Sequence, residues 1–295
     1  MLAEAPMSKV HWKSTPLRPM SDEEFELWKA LIEERVGITV DAARRSFFLT
    51  SLGLRMREIG LDDFGEYYAR LQSAGWASEP EWSVLVDRLT VQETSFLRHQ
   101  PSFDCVTEHL RELLRQSGLR QMQLWSVGCA TGEEAYSLAM LTDELVLASG
   151  RRISWGVTAS DVSRPALTRA RQGIYGTRRL RALPPSWQQD YVDTLDEERG
   201  QIKAPLRDRL CFVQINVLDL KAVPLQDMDV IFCQNLLIYF RRFRKRDIVH
   251  QLIRRLAPGG LLVLGVNEML DWRHDDVERV ENRGVLAYRR RLAHP

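Results

Sequence analysis

The chain has 295 residues, 44% of them hydrophobic, and a formal net charge of +1 at pH 7. That length allows about two domains with proper cores, and the near-neutral balance does not favour general nucleic-acid binding by long-range charge. No apolar run approaches the ~20 residues of a membrane span, and the first residues lack the apolar core of a secretory signal.

Residues 1–20 hold three prolines and little periodicity, which predicts a flexible tail. Residues 21–90 predict a small all-helical domain. Ser21-Asp-Glu-Glu24 forms a capping box, and Phe25, Trp28, Leu31 and Ile32 fall on one face before Gly37 ends the helix. A second helix runs from about Asp41 to Gly60, and Asp62 and Ser78 are expected to cap two more. Residues 91–100 read as a polar linker that contributes to an active site.

From residue 101 onward, helices alternate with apolar strands. The strands are Met122–Val127, Ile153–Ala159, Leu210–Ile215, Asp229–Cys233, Leu261–Gly265 and Val285–Tyr288. Such alternation predicts an α/β domain over 101–295, with a mainly parallel sheet covered by helices on both faces. The last strand is expected to pair antiparallel through the Asn282-Arg-Gly284 turn. Residues 174–209 interrupt the pattern and are expected to form a small antiparallel insert. In it, edge strands near 191–194 and 201–204 would pair with Leu210–Ile215. The cysteines Cys105, Cys129, Cys211 and Cys233 have no CxxC spacing and read as buried free thiols, with no structural metal.

Three segments carry chemistry. Trp125 to Ser137 is a strand, a turn through Gly128 and Gly132, and a helix start at Glu133-Glu134. Such a turn seats nucleotide-like ligands in α/β proteins. Two carboxylates in the first helical turn would repel a phosphate; a cofactor with positive charge and hydroxyls suits them, which favours S-adenosylmethionine over NAD or ATP. Asp161, at the tip of the second strand, stands where an acid accepts hydrogen bonds from ribose hydroxyls; Asp161 or Ser163 would also cap the next helix. After the strand Asp229–Cys233, Asn235 and Tyr239 follow at the same carboxyl end of the sheet and face the same cleft. The linker Thr90 to Arg98 interleaves donors with Phe96 and Leu97.

Together, Gln92 to Arg98, Gly128 to Ser137, Ala159 to Ser163 with Gly173-Ile-Tyr175, and Phe232 to Phe240 resemble the CheR family of chemoreceptor glutamate O-methyltransferases. The resemblance covers about residues 21–290. It implies a Rossmann-like methyltransferase sheet, a small helical N-terminal domain and a β insert. The implied cofactor is S-adenosylmethionine, and the implied partner is the cytoplasmic helical bundle of a transmembrane chemoreceptor. Matched residue by residue, Gln92, Thr94 and Arg98 are cofactor contacts from the linker, Glu134 meets the cofactor's ammonium, and Asp161 meets its ribose. Asn216 and Val217 flank the adenine, Asn235 and Leu236 lie under the methionine end, and Arg98 and Tyr239 stand near the transferred methyl group. Gln92, Ala135, Gln234 and Gly265-Val-Asn-Glu268 depart from the family's usual residues without removing a cofactor contact. A branch serving a pilus-linked system (PilK-like) fits the tail and the Gln234-Asn235 pair.

The implied reaction needs no general base, because a glutamate with a pKa of ~4.3 is already ionised at neutral pH. Arg44, Arg45, Arg55 and Arg57 would face an acidic receptor, as would the run Arg241 to Arg246. The compact turn between Asp193 and Lys203, with only Gly200, implies no tether to a receptor C-terminal pentapeptide. Two other readings are a methyltransferase for a different acceptor and a non-catalytic, cofactor-binding regulatory module.

Overall fold

The computed structural model describes residues 17–73, 79–90, 92–269, 272–281 and 284–292. Most of the expected tail, the Ser78 cap and the Asn282-Arg283 part of the last turn lie outside the described residues. The chain divides into two compact units with the boundary after Leu89; Val36–Ile38 count with the second.

The first unit is helical. In α1 (Asp22–Val36), Glu24 N–H donates to Ser21 Oγ at 3.1 Å and Ser21 N–H to Glu24 Oε2 at 2.9 Å, a reciprocal cap. Asp41 caps a 3-10 turn that runs into α2 (Arg45–Ile59), and Gly60 closes α2 at φ 74°. The cap of α3 (Phe64–Gln72) is Asp63, not Asp62: its Oδ1 accepts from Glu66 N–H at 2.9 Å. A capping oxygen reaches the N–H three residues on, and Asp62 stands one residue too early. The fourth helix is α4 (Glu79–Leu89). Trp28, Ile32, Phe48, Leu52, Met56, Tyr67 and Leu85 form the core, each almost fully buried.

The expected basic face is partly drawn inward. Arg55 donates to both oxygens of Glu81 at 2.8 and 2.6 Å, and the Tyr67 hydroxyl donates to Glu81 at 2.6 Å. Burial alone would raise the Glu81 carboxyl, but the Arg55 guanidinium and the Tyr67 hydroxyl hold it below the usual range. Arg45 pairs with Asp22 at 2.6 Å, while Arg57 stays exposed.

The second unit starts with α5 (Gln100–Leu114), β1 (Gln121–Val127), α6 (Glu133–Ser149), β2 (Ser154–Asp161) and α7 (Arg164–Gln172). The insert follows: β3 (Ile174–Gly176), α8 (Thr177–Leu180), α9 (Pro185–Tyr191), β4 (Val192–Thr194), β5 (Arg199–Ile202) and α10 (Ala204–Arg207). The main sheet resumes with β6 (Leu210–Gln214), β7 (Met228–Cys233), α11 (Arg242–Ile253), β8 (Leu256–Leu264), β9 (Val277–Arg279) and β10 (Leu286–Arg290). Its seven strands run in the order β6-β2-β1-β7-β8-β10-β9. Neighbours from β6 to β8 are parallel, and β10 is antiparallel to both β8 and β9. The chain turns back at β10 because no crossover helix separates it from β9.

Both faces of this sheet are covered. Met122, Leu124, Val230 and Phe232 point into a core shared with α5, α6 and α7. Their neighbours Trp125, Val127, Ile231 and Cys233 point into the core under α11. This period-two alternation is what a strand buried on both faces requires. Among the described residues, no helix is long and apolar enough to cross a membrane.

Two expectations for this unit need correction. The insert is a separate three-stranded antiparallel sheet, β3-β5-β4, in which β5 pairs with Ile174–Gly176 and not with β6. β6 bonds to β2 in parallel and forms the outer edge of the main sheet, while β5 takes β3 and β4 as its antiparallel partners. Cys211 is exposed, whereas Cys105, Cys129 and Cys233 are buried; its position on the outermost strand of the main sheet explains the difference.

Candidate active site

The strand order reverses at β1: β2 lies on one side and β7 on the other. In open α/β sheets, ligands bind at the carboxyl ends of strands around such a switch point. A cavity of about 210 Å³ opens there. The carboxyl ends of β1, β2, β6 and β7 deliver Gly128, Asp161, Asn216 and Asn235 to its walls. The structure brings all ten residues singled out from the sequence into this one lining: Gln92, Thr94, Arg98, Glu134, Asp161, Asn216, Val217, Asn235, Leu236 and Tyr239.

The glycine loop is held from below. Gly128 and Cys129 donate their N–H groups to Ser160 O at 2.8 and 2.9 Å. Ala130 N–H donates to Asp161 Oδ2 at 2.9 Å, and Ser163 N–H to Asp161 Oδ1 at 2.9 Å. Asp161 therefore fixes the loop as well as lining the cleft, and the cap of α7 is Ser163, which accepts from Ala166 N–H at 3.1 Å. Two glycines are required. Gly128 has φ 78°, and a Cβ there would lie 3.2 Å from the Leu236 side chain; Gly132 has φ 97°, and its Cβ would lie 2.9 Å from that of Ala170. Ala130 (φ 48°) and Asn235 (φ 56°) also hold the left-handed conformation while lining the cleft. Strain of this kind gathers at functional sites.

The two acids of the α6 first turn have separate environments. Glu133 is fully buried; Thr131 Oγ1 donates to it at 2.7 Å, and Arg179 from α8 of the insert pairs with its other oxygen. Glu134 lines the cleft and accepts from Ser126 Oγ at 2.6 Å. Desolvation pushes its carboxyl up to about 8; the Ser126 hydroxyl opposes the rise, nearby Glu268 adds to it and Arg98 opposes it. Across the cleft, Arg98 donates to Glu93 O at 2.6 Å. Gln92 donates to Ser163 Oγ and accepts from Arg169, each at 3.0 Å. Asn216 caps a 3-10 turn by accepting from Leu218 N–H at 3.1 Å.

Tyr239 sits on a 3-10 turn, Leu237–Tyr239. The buried Glu268 carboxylate accepts from Ile238 N–H at 3.3 Å and Gly265 N–H at 2.9 Å, tying that turn to the end of β8. Burial raises the Glu268 carboxyl, and these backbone donors oppose the rise.

The lining also includes Ser95, Phe103, Ala130, Val162, Ile215, Ile238 and Phe240, which sequence reasoning did not single out, and Gln234, noted there only as a departure from the family's usual residue. Ile215 and Val162 each adjoin a residue that was named, so adjacency to a polar strand end was the available signal. Glu133 was read as a helix-start residue only; its partner lies 46 positions away in the insert, beyond any local pattern.

The comparisons with known proteins fit this geometry. The family model described as "CheR methyltransferase, SAM binding domain" matches residues 92–285, and "CheR methyltransferase, all-alpha domain" matches 23–90. The chain belongs to the CheR methyltransferase family. It is 32% identical to chemotaxis protein methyltransferase 1 of Pseudomonas aeruginosa, over 91% of this chain and 98% of that one. It is 34% identical to the chemotaxis protein methyltransferase of Salmonella typhimurium, over 84% of each chain. The relative of the same name in Escherichia coli is also 34% identical, over 84% of this chain and 85% of that one.

The cofactor of the family is S-adenosylmethionine, and the cleft suits it. A carboxyl that is costly to ionise in isolation, Glu134, waits where a cation would stabilise it. The Gly128 surface is free of a Cβ, and Leu236 closes over it. Residues of both characters, acidic at Asp161 and apolar at Ile215, Val217 and Leu236, line one wall system.

Proposed function

We propose that the protein transfers the methyl group of S-adenosylmethionine to glutamate side chains in the cytoplasmic part of a chemoreceptor, forming methyl esters. The observation that carries this reading is the meeting, in one cleft, of Arg98 and Tyr239 with the acids Glu134 and Asp161. The names of the relatives support a chemoreceptor as the acceptor's source.

When bound, S-adenosylmethionine supplies an electrophilic methyl on a sulfonium. Glu134 would hold the cofactor's ammonium and Asp161 its ribose hydroxyls. Asn216 and Val217 would flank the adenine, Asn235 and Leu236 would hold the methionine end, and Gln92, Thr94 and Arg98 would hold it from the linker. The acceptor carboxylate arrives ionised, so the protein's work is alignment and partial desolvation. Arg98 holds a carboxylate by charge-assisted hydrogen bonds, and Tyr239 orients the attacking oxygen.

The test is tritiated methyl transfer to receptor-enriched membranes, followed by mild alkali. A methyl ester releases volatile methanol. Stable counts would indicate N-methylation of another acceptor, and binding without transfer would indicate a regulatory module; either result overturns the proposal.

A further inference from the structure

Around Tyr239, the chain presents exposed apolar and basic side chains together. Ile238 is 47% exposed and Phe243 54% exposed, both large apolar side chains in water. Val266, 40% exposed, belongs to the turn that Glu268 ties to the Ile238 backbone. In the same stretch of chain, Arg242 and Arg246 are exposed, and the Arg244 guanidinium lies 5.4 Å from the Phe243 ring centre. The first turn of α11 holds no acidic residue, and its N-cap, Arg241, makes no side-chain capping bond. Cations there oppose the helix dipole, and exposed apolar groups add nothing to folding. Exposed apolar and basic residues thus alternate along Ile238 to Arg246, and this stretch starts at the cleft wall, which Ile238 also lines.

We infer that the Ile238–Phe243–Arg246 surface is a docking face for an acidic amphipathic helix of the receptor, which it holds so that the acceptor glutamate enters the cleft beside Tyr239. This rests on the reading of the acceptor as a protein glutamate. Charge complementarity selects the partner. A helix that carries a glutamate to be methylated brings carboxylates on one stripe for Arg242 and Arg246, and its own apolar stripe covers Phe243 and Ile238. A nucleic acid would satisfy the cations as well, but it offers no carboxylate to the cleft.

The double variant Arg242→Glu/Arg246→Glu, and separately Phe243→Ala, are assayed for methyl transfer over a range of receptor-enriched membrane concentrations at low and high salt. S-adenosylhomocysteine affinity, measured by calorimetry, serves as the control for fold and cleft. None of these residues lines the cleft. The inference expects the double variant to raise the receptor KM about tenfold and to flatten its salt dependence, because steering by a cationic patch enhances encounter by such factors. It expects Phe243→Ala to raise KM while the salt dependence stays, and both variants to bind S-adenosylhomocysteine as the wild type does. Wild-type KM and salt dependence in the double variant overturn the docking face alone. A parallel loss of S-adenosylhomocysteine affinity also overturns it, since the run would then be structural. Absence of base-labile ester with the wild-type chain overturns the reading of the acceptor, and the docking face with it.

Discussion

Two helix N-termini in the second unit carry opposite charge. The first turn of α6 holds Glu133 and Glu134, the signs that a helix dipole favours. The first turn of α11 holds basic residues and no acid. The acids are turned inward and each has an assigned neighbour: Glu133 has Arg179 and Thr131, and Glu134 has Ser126 and the open cleft. At the start of α11, Arg241 and Arg242 are exposed, while Lys245 helps to hold down the buried Glu268 carboxyl. Charge that the helix favours builds the site at α6, and the exposed arginines that the helix disfavours form the inferred docking face at α11. The sign at a helix start is thus informative in both directions.

The largest effect is expected where Glu134 of α6 meets the cation of Arg98 in the cleft. Arg98 lies close enough to oppose the rise of Glu134 and shares its cleft. Arg98→Ala should lower turnover about 100-fold or more, the scale of losing a preorganised charged donor at a reacting centre. Steady-state methyl transfer measures this, and wild-type-like turnover would remove Arg98 from the reaction. Glu134→Gln keeps the shape and the Ser126 contact but cannot carry charge. It should weaken S-adenosylmethionine binding about 10- to 100-fold, the value of one charged hydrogen bond, with S-adenosylhomocysteine affected alike because both carry the same ammonium.

Breaking the other acid's pair should act on stability. Arg179→Met leaves the fully buried Glu133 without its cation, but the Arg179 side chain is 51% exposed. The loss in urea unfolding should be about 1–3 kcal/mol, below that of a fully buried pair because solvent already screens this one. An equal loss of cofactor affinity is expected only if the insert also sets the loop that Thr131 belongs to. The smallest effect sharpens the contrast at α11. Arg242→Glu places an acid where the dipole favours it and should raise the melting temperature by about 1–2 °C even as receptor docking weakens. A fall in melting temperature would mean that the arginine serves the fold.

Much of the second unit was legible because its signals are local. Gly128 and Gly132 mark the loop between β1 and α6, Asp161 ends β2, and Asn235 and Tyr239 follow β7 within a few residues. Each motif sits at the end of its own strand, and the parallel topology then gathers those ends at one place. What could not be read depends on pairing across sequence distance. The partner of β5 was misassigned because three-residue strands such as β3 lack a usable alternation. Glu133 was undervalued because Arg179 comes from an irregular insert. Arg55 was taken for a surface cation because nothing near it in sequence reveals Glu81 and Tyr67. Choosing Asp62 over Asp63 was a one-residue error of the kind common at helix ends.

The account turns on Glu134 as a carboxyl kept waiting for a cation, and proton release on cofactor binding tests this most directly. With its free pKa raised to about 8 by burial, the group is mostly protonated near pH 7. Arrival of the ammonium lowers the pKa, so binding releases the proton, and affinity rises with pH until about 8 is passed. Calorimetry of S-adenosylmethionine binding near pH 7, in buffers of different ionisation enthalpy, should report about one proton released by the wild type and none by Glu134→Gln. Tight binding by the wild type with no proton released, or the same release by both proteins, would contradict the account.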